Sequence, residues 1–276
     1  MPIYKPTELI LFLESLGHHP KKALSQNFLI DGNIIRKIVS TAGVQPDELI
    51  LEIGPGPGSL TEALLNTGAR VLAVEKDNAL AEALQRFQKE GKLTILCDDV
   101  LAVPLEKYLP LNKKTKVIAN LPYNIATAII LEFIVKRDLI SSIFVMVQEE
   151  VARRMTAHPS SKEYGSLTLF LNFYAETKYL FTVSKNCFFP VPKVQSAVVE
   201  LRLREPPPVM DKGLFFEMTR TAFEQRRKML RNSLRDLYGM QKVEHALEKI
   251  GKNPTSRPEE LSLEEFLALF AQLQSN

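Results

Sequence analysis

Long apolar runs are absent from this chain of 276 residues. The stretch Leu9-Ile10-Leu11-Phe12-Leu13 is closed on both sides by Glu8 and Glu14, far short of the roughly 18 residues that cross a bilayer. It is also too short and too acidic for a secretory signal, and no small-residue cleavage site follows it. Cysteine is scarce: Cys97 and Cys187 lie 90 positions apart, without partners at metal-ligand spacing. That excludes a disulfide framework and a zinc site, and leaves reduced thiols in a cytoplasm as the expectation. No metal and no membrane contact are expected. With 45% apolar and 24% charged residues, the composition is globular rather than disordered or fibrous. At about 150 residues per domain, the length accommodates one or two domains.

What the chain does have is charge in one place. The net charge is +3, yet between Met218 and Arg235 the cations Arg220, Arg226, Arg227, Lys228, Arg231 and Arg235 stand against Glu224 alone. A basic cluster on an otherwise nearly neutral chain points to a localised polyanion contact. The plainer alternative is a solvated helix face.

From residue 49 to about 147, short apolar runs alternate with helical spacing. Residues 49–53, 70–75, 93–96, 116–119 and 143–147 read as strands; 60–65, 79–87 and 126–135 read as helices. Buried strands separated by helices argue an α/β fold, a Rossmann-like parallel sheet covered on both faces. Two later β-rich runs, 178–183 and 196–203, can pair antiparallel at the sheet edge. Pro206-Pro207-Pro208 then forbids helix and sheet interior alike and makes a stiff linker. Beyond it, 212–223, 226–237, 243–250 and 262–273 carry helical patterns. The expected division is an α/β domain over 1–205 and a small helical domain over 206–276.

Glu52-Ile53-Gly54-Pro55-Gly56-Pro57-Gly58 falls between the first of these strands and the first helix. Glycines there let the backbone turn sharply and approach a ligand at a helix N-terminus. A dinucleotide fingerprint is G-x-G-x-x-G, whereas Ser59 follows Gly58 here and the spacing is G-x-G-x-G. That pattern suits the amino-acid end of a nucleoside rather than a pyrophosphate; for the glycines alone, a plain strand-to-helix turn is the alternative. Glu75 ends the second strand, 19 residues beyond Gly56, where its carboxylate can accept from both ribose hydroxyls. Asp98-Asp99 ends the third, where one carboxylate can accept from an adenine amine. Acids at the ends of successive parallel strands converge on the switch-point crevice. Together these features read as a site for S-adenosylmethionine.

Asn120-Leu121-Pro122-Tyr123 follows the fourth strand and opens onto the same crevice. An exocyclic adenine nitrogen is a poor nucleophile because its lone pair is delocalised into the ring. The Asn120 side-chain oxygen and a neighbouring backbone carbonyl can each bind one amino hydrogen, favouring a pyramidal nitrogen whose lone pair faces the methyl donor. Pro122 adds no donor, and Tyr123 offers a face on which an extruded base can stack. No strong general base is needed before attack. Standing alone, the tetrapeptide reads equally as a turn with a core tyrosine.

These segments, with Ser25-Gln26-Asn27-Phe28-Leu29, Phe188-Phe189-Pro190-Val191-Pro192-Lys193-Val194 and the basic run Ala222 to Leu234, resemble the ribosomal RNA adenine N6-dimethyltransferases. The motifs match in order from about residue 20 to 240, and the basic run looks like that of the small-subunit (16S) enzymes rather than the 23S methylases. The resemblance implies that Asn27 and Leu29 line the methionine end of the cofactor, Gly54 contacts it by backbone, Glu75 holds the ribose, Asp99 (in preference to its neighbour Asp98) meets the adenine, and Asn120 touches cofactor and target. It implies that Phe188 stacks on the target base opposite Tyr123; a core phenylalanine is the alternative. The implied substrate is two adjacent adenosines in the 3′-terminal hairpin loop of 16S rRNA in an assembling 30S subunit, each dimethylated. Gln195 stands where the family often has aspartate, and Cys97-Asp98 replaces smaller or neutral residues.

At helical spacing Arg227 and Arg231 share a face, with Arg226, Lys228 and Arg235 beside them, a surface that would bind rRNA phosphate with strong salt dependence. His18-His19-Pro20-Lys21-Lys22 can add a second phosphate contact or be a flexible, solvated segment. Other readings are a 23S methylase, an assembly checkpoint whose binding outweighs its catalysis, and a small-molecule methyltransferase, which would leave the basic run unexplained. A monomer is expected.

Overall fold

In the computed structural model, which describes residues 3, 5–20, 26–88 and 91–275, the chain begins with α1 (Pro6–Ser15), β1 (Phe28–Leu29), α2 (Gly32–Thr41), β2 (Leu49–Ile53), α3 (Ser59–Asn66) and β3 (Arg70–Glu75). There follow α4 (Asn78–Ala83), β4 (Leu93–Cys97), β5 (Thr115–Asn120), α5 (Ala126–Ile134), β6 (Ile140–Gln148), α6 (Glu149–Met155) and α7 (Ser166–Tyr174). Next come β7 (Ala175–Val183), β8 (Phe188–Phe189) and β9 (Ser196–Leu203), then α8 (Lys212–Glu224), α9 (Leu230–Ser233), α10 (Arg235–Tyr238), α11 (Met240–Lys249) and α12 (Leu263–Gln274).

Seven strands form one sheet in the order β4-β3-β2-β5-β6-β9-β7, and β1 pairs with β8 in a separate two-stranded ribbon. The strands from β4 to β6 are parallel and β9 runs antiparallel to β6. Ile50 and Leu51 in β2, Val71 and Ala73 in β3, and Val117 and Ile118 in β5 are all buried. A parallel strand covered on both faces has no solvent side, which is why these runs are continuous rather than alternating. The chain winds outward from β2 to β4, then returns to β5 on the other side of β2. The carboxyl ends of β2 and β5 therefore border the switch-point crevice. The first delivers the glycine loop there and the second delivers Asn120.

Packing divides the chain into residues 1–152 with 178–203, and residues 153–177 with 204–276. Of the three crossings between these groups, the last, at 203/204, falls just before Pro206-Pro207-Pro208, whereas residues 153–177, expected in the α/β domain and containing α7, group with the helices. Their core explains it: Tyr164, Leu169 and Phe173 are buried in one cluster with Phe215, Met218, Phe266 and Phe270. The Tyr164 hydroxyl also donates to the Leu261 carbonyl at 2.9 Å.

The continuous helix expected over 226–237 is not formed. The preceding helix α8 stops at Glu224, residues 225–229 make a turn, and α9 and α10 are single turns. Met229 is extended (φ −63°, ψ 146°), and the Leu230 N–H donates to the Ser256 carbonyl at 2.9 Å. That tertiary bond replaces the helical one, so Arg227 and Arg231 do not share a helical face. No described helix is long and apolar enough to cross a membrane, and no group of metal-ligating side chains occurs among the described residues.

Candidate active site

Beyond β2 the backbone takes positive φ at Gly54 (64°), Gly56 (56°) and Gly58 (83°). At Gly58, which caps α3, a Cβ would lie 2.6 Å from the Phe87 ring and 2.7 Å from Leu84, so conformation and space both demand glycine. The Gly54 N–H donates to the Val74 carbonyl at 2.9 Å, and the Gly56 N–H to Glu75 Oε2 at 2.9 Å. The other Glu75 oxygen accepts from the Asp77 N–H at 2.9 Å. Glu75 is thus buried and aimed by two loops, with a lone pair on each oxygen still available. Burial raises its pKa, and the N–H groups of Asp77 and Gly56 pull it back down.

Asp99 forms an ion pair with Lys76 at 2.8 Å and accepts from the Leu101 N–H at 3.0 Å. The Lys76 ammonium holds the Asp99 carboxyl below the usual carboxylate range. Asp98 Oδ1 accepts from the Asp99 N–H at 2.7 Å. Both acids border the cavity at the switch point. Neither the spacing nor the resemblance had pointed to Lys76; its signal was a cation directly after the strand-end acid.

Asn120 Nδ2 donates to the Asn27 carbonyl at 3.1 Å. A carbonyl can only accept, so this bond fixes the amide with its nitrogen toward Asn27 and leaves Oδ1 as the free acceptor. Tyr123 shares a 2.6 Å hydrogen bond with Ser196 Oγ, and burial raises its pKa, keeping the phenol neutral. The cavity brings Asn27, Gly54, Glu75, Asp98, Asp99, Asn120, Leu121, Pro122 and Tyr123 together, and adds Gln26, Phe28 and Gly56.

Two expected site residues are elsewhere. Leu29 and Phe188 pair across the β1–β8 ribbon and lie in the core of the sheet, 6% and 0% exposed. Phe188 presents no ring face opposite Tyr123, so the expected sandwich is not formed here. Successive strand residues face opposite ways: Phe189 packs instead against the cluster of Leu9, Leu13, Phe28 and Leu80. The alternation that buries Leu29 leaves Phe28 at the cavity.

The basic residues separate into two kinds. Arg226 Nε binds Glu259 at 2.6 Å, its Nη2 donates to the Ser161 carbonyl at 2.8 Å, and its Nη1 to the Lys162 carbonyl. Arg231 pairs with Glu244 at 2.6 Å. Arg227 and Lys228 are exposed. Near the N-terminus His18 is buried, 3.7 Å from Asp77 and 3.4 Å from Gln26, which takes it out of any phosphate contact. Lys21, Lys22 and Ser25 lie outside the described residues.

Whether an adenosyl cofactor fits can be judged from the donor set. Acceptors for a nucleoside, Glu75 with Asp98 and Asp99, border the same cavity as Asn27 and the bare Gly54 and Gly56 backbone. A Cβ on Gly56 would crowd the Phe28 ring at 3.0 Å. The residues fit, and the fold and site together define an S-adenosylmethionine-dependent methyltransferase.

The chain is 60% identical to the Ribosomal RNA small subunit methyltransferase A of Protochlamydia amoebophila, covering 100% of this chain and 99% of that one. With the protein of the same name from Chlamydia muridarum it shares 47% identity over 97% of both. Among solved structures, the 23S rRNA methyltransferase ErmE matches with a TM-score of 0.71 at 28% identity, covering 90% of this chain and 100% of that one. A dimethyladenosine transferase from Plasmodium falciparum matches in fold, with a TM-score of 0.73 at 24% identity over 88% and 95%. The profile of the ribosomal RNA adenine dimethylases matches residues 17–275, and the chain belongs to that family. Its activity is rRNA adenine dimethylation.

Proposed function

We propose that this chain places two methyl groups on N6 of each of two adjacent adenosines in the 3′-terminal hairpin loop of 16S rRNA. It acts as a cytoplasmic monomer on a 30S precursor. The observation that carries the chemistry is the fixed Asn120 amide, whose Oδ1 is held free by the bond from Nδ2 to Asn27. The small-subunit substrate is supported by the names of the relatives at 60% and 47% identity. Docking on an immature subunit also blocks its premature use, so the enzyme contributes to small-subunit biogenesis.

When bound, S-adenosylmethionine supplies an electrophilic methyl group. Asn27 and the Gly54 backbone would hold its methionine end, Glu75 its ribose and Asp99 its adenine. Asn120 Oδ1 accepts one hydrogen of the target amine. The Pro122 carbonyl already accepts from the Ile125 N–H at 3.2 Å, which points to the Leu121 carbonyl as the second acceptor. Two acceptors in place of ring conjugation would localise the nitrogen lone pair toward the methyl donor, whose carbon–sulfur bond would break to leave a neutral thioether, and the surplus N6 proton would pass to solvent water. Tyr123 supplies the stacking face. Arg227 and Lys228 meet the phosphate backbone.

Ser196 fixes the plane of the Tyr123 ring through its hydroxyl. Ser196→Ala is expected to lower kcat by about 10-fold, the order of one lost hydrogen bond, with cofactor affinity unchanged by calorimetry. Tyr123→Phe should cost no more on top of it, and additive losses would show that the bond does not orient the ring. The functional reading is tested by nucleoside mass spectrometry of the 3′-terminal 16S fragment after reaction with unmethylated 30S subunits. Two adjacent N6,N6-dimethyladenosines are expected; methylation at any other site refutes the assignment.

A further inference from the structure

We infer that Lys162, with Arg227 and Lys228, forms the phosphate-binding rim of the helical unit, and that Arg226 positions this rim instead of binding phosphate itself. The inference rests on the reading that this unit contacts rRNA, and it changes which residues make the contact.

The guanidinium of Arg226 has protein partners at all three nitrogens: Glu259 on Nε, the Ser161 carbonyl on Nη2 and the Lys162 carbonyl on Nη1. The planar fork of arginine suits such a staple, which a lysine ammonium cannot reproduce. The same glutamate anchors the loop a second time, because the Glu259 carbonyl accepts from the Ser160 N–H at 2.7 Å. Residues 160–162 are therefore bound to the turn at 225–228 from both sides. Lys162 then sits one arginine side-chain length from Arg226, with its own side chain exposed. Arg227 and Lys228 are exposed on the adjoining turn, which the Lys228 N–H closes onto the Gln225 carbonyl at 2.7 Å.

Glu259, an acid within this group, is neutralised by Arg226. Lys162, Arg227 and Lys228 then stand exposed on two loops locked together, outnumbering the neighbouring Glu163 and Glu224, an arrangement that a polyphosphate backbone neutralises with release of counterions. Arg231, bound to Glu244, does not belong to the rim. Sequence distance hid Lys162: 64 positions separate it from Arg226.

The test measures the affinity of the full-length protein for unmethylated 30S subunits between 50 and 200 mM KCl. Single substitutions Lys162→Ala, Arg227→Ala and Lys228→Ala are each expected to weaken binding several-fold at the lower salt and to reduce the slope of log affinity against log salt by about one unit. Arg226→Lys keeps the charge but not the fork. It should weaken binding as much as Lys162→Ala and show faster amide exchange in residues 158–163, and adding Lys162→Ala to it should have no further effect. Arg226→Lys with wild-type affinity and slope would make Arg226 a direct phosphate ligand and overturn the inference. Lys162→Ala indistinguishable from wild type, while Arg227→Ala weakens binding, would also overturn it but leave the rRNA reading intact. No change in any of the variants would reject that reading as well. Calorimetric S-adenosylmethionine affinity should be unaltered throughout.

Discussion

Asn120→Ala is expected to lower kcat for methyl transfer by about 10²- to 10³-fold, the cost of removing one preorganised polar group at a reacting centre. The effect is large because Oδ1 is the side-chain acceptor assigned to the target amine. Without it, the nitrogen keeps its conjugation with the ring. The substitution also removes the bond to the Asn27 carbonyl, so cofactor affinity should fall as well, though only several-fold, the order of one hydrogen bond. Asn120→Asp separates the two effects. It keeps an acceptor but sets a carboxylate oxygen against the Asn27 carbonyl, so it should lose more cofactor affinity than the alanine variant while retaining more of kcat. Single-turnover rates at saturating cofactor read the first effect and calorimetry the second. A kcat for Asn120→Ala within 10-fold of wild type would contradict the assignment.

Glu52→Gln is expected to change how stability depends on pH. Glu52 is 1% exposed and, like the hydroxyl of Thr61, has no hydrogen-bond partner among the described residues. Burial, the largest influence, pushes its pKa from 4.5 up to about 8; nearby Thr61 lowers it and the charge of Glu75 raises it further. An acid whose folded pKa lies above its unfolded value favours folding while both states are protonated. That contribution is complete below the unfolded pKa and is lost as pH rises toward the folded one. Glutamine cannot ionise, so the variant lacks this loss. Between pH 5 and pH 8, the stability difference should move in favour of Glu52→Gln by on the order of 4 kcal/mol. Urea unfolding of both proteins at the two pH values measures it, and parallel behaviour would show that Glu52 is ionised in the fold. Because Glu52 lies directly before the glycine loop, cofactor affinity should shift with it over the same range.

The central strands and the crevice were legible because their physics is local. An apolar run followed by glycines, as at Ile53-Gly54, can be read without knowing what packs against it. The converging acids were legible for the same reason: each ends a strand, and parallel strands bring their ends together. Other features depend on partners distant in sequence. The basic run has a helical pattern from Arg226 to Leu237, yet Leu230 bonds to Ser256 and Arg226 to Glu259, and those contacts break the helix and occupy the arginine. The apolar helix at 166–174 does not announce its partner; that Phe173 packs against Phe215 is a tertiary choice. Phe188 and Phe189 are adjacent and chemically identical, and only the strand register with Leu29 and Phe28 decides which enters the core. The resemblance added Asn27, Leu29 and Phe188 to the residues read from the motifs, while Lys76 and Ser196 emerged from the geometry.

The assigned activity is tested most directly by transfer of labelled methyl groups from S-adenosylmethionine to unmethylated 30S subunits, naked 16S rRNA and naked 23S rRNA in parallel, with nucleoside analysis of the products. N6,N6-dimethyladenosine is expected on the 30S particle and none on 23S rRNA, with transfer by Asn120→Ala slowed about 10²- to 10³-fold. Label on naked 23S rRNA alone, or an unlabelled 30S particle in the presence of bound cofactor, would contradict the assignment.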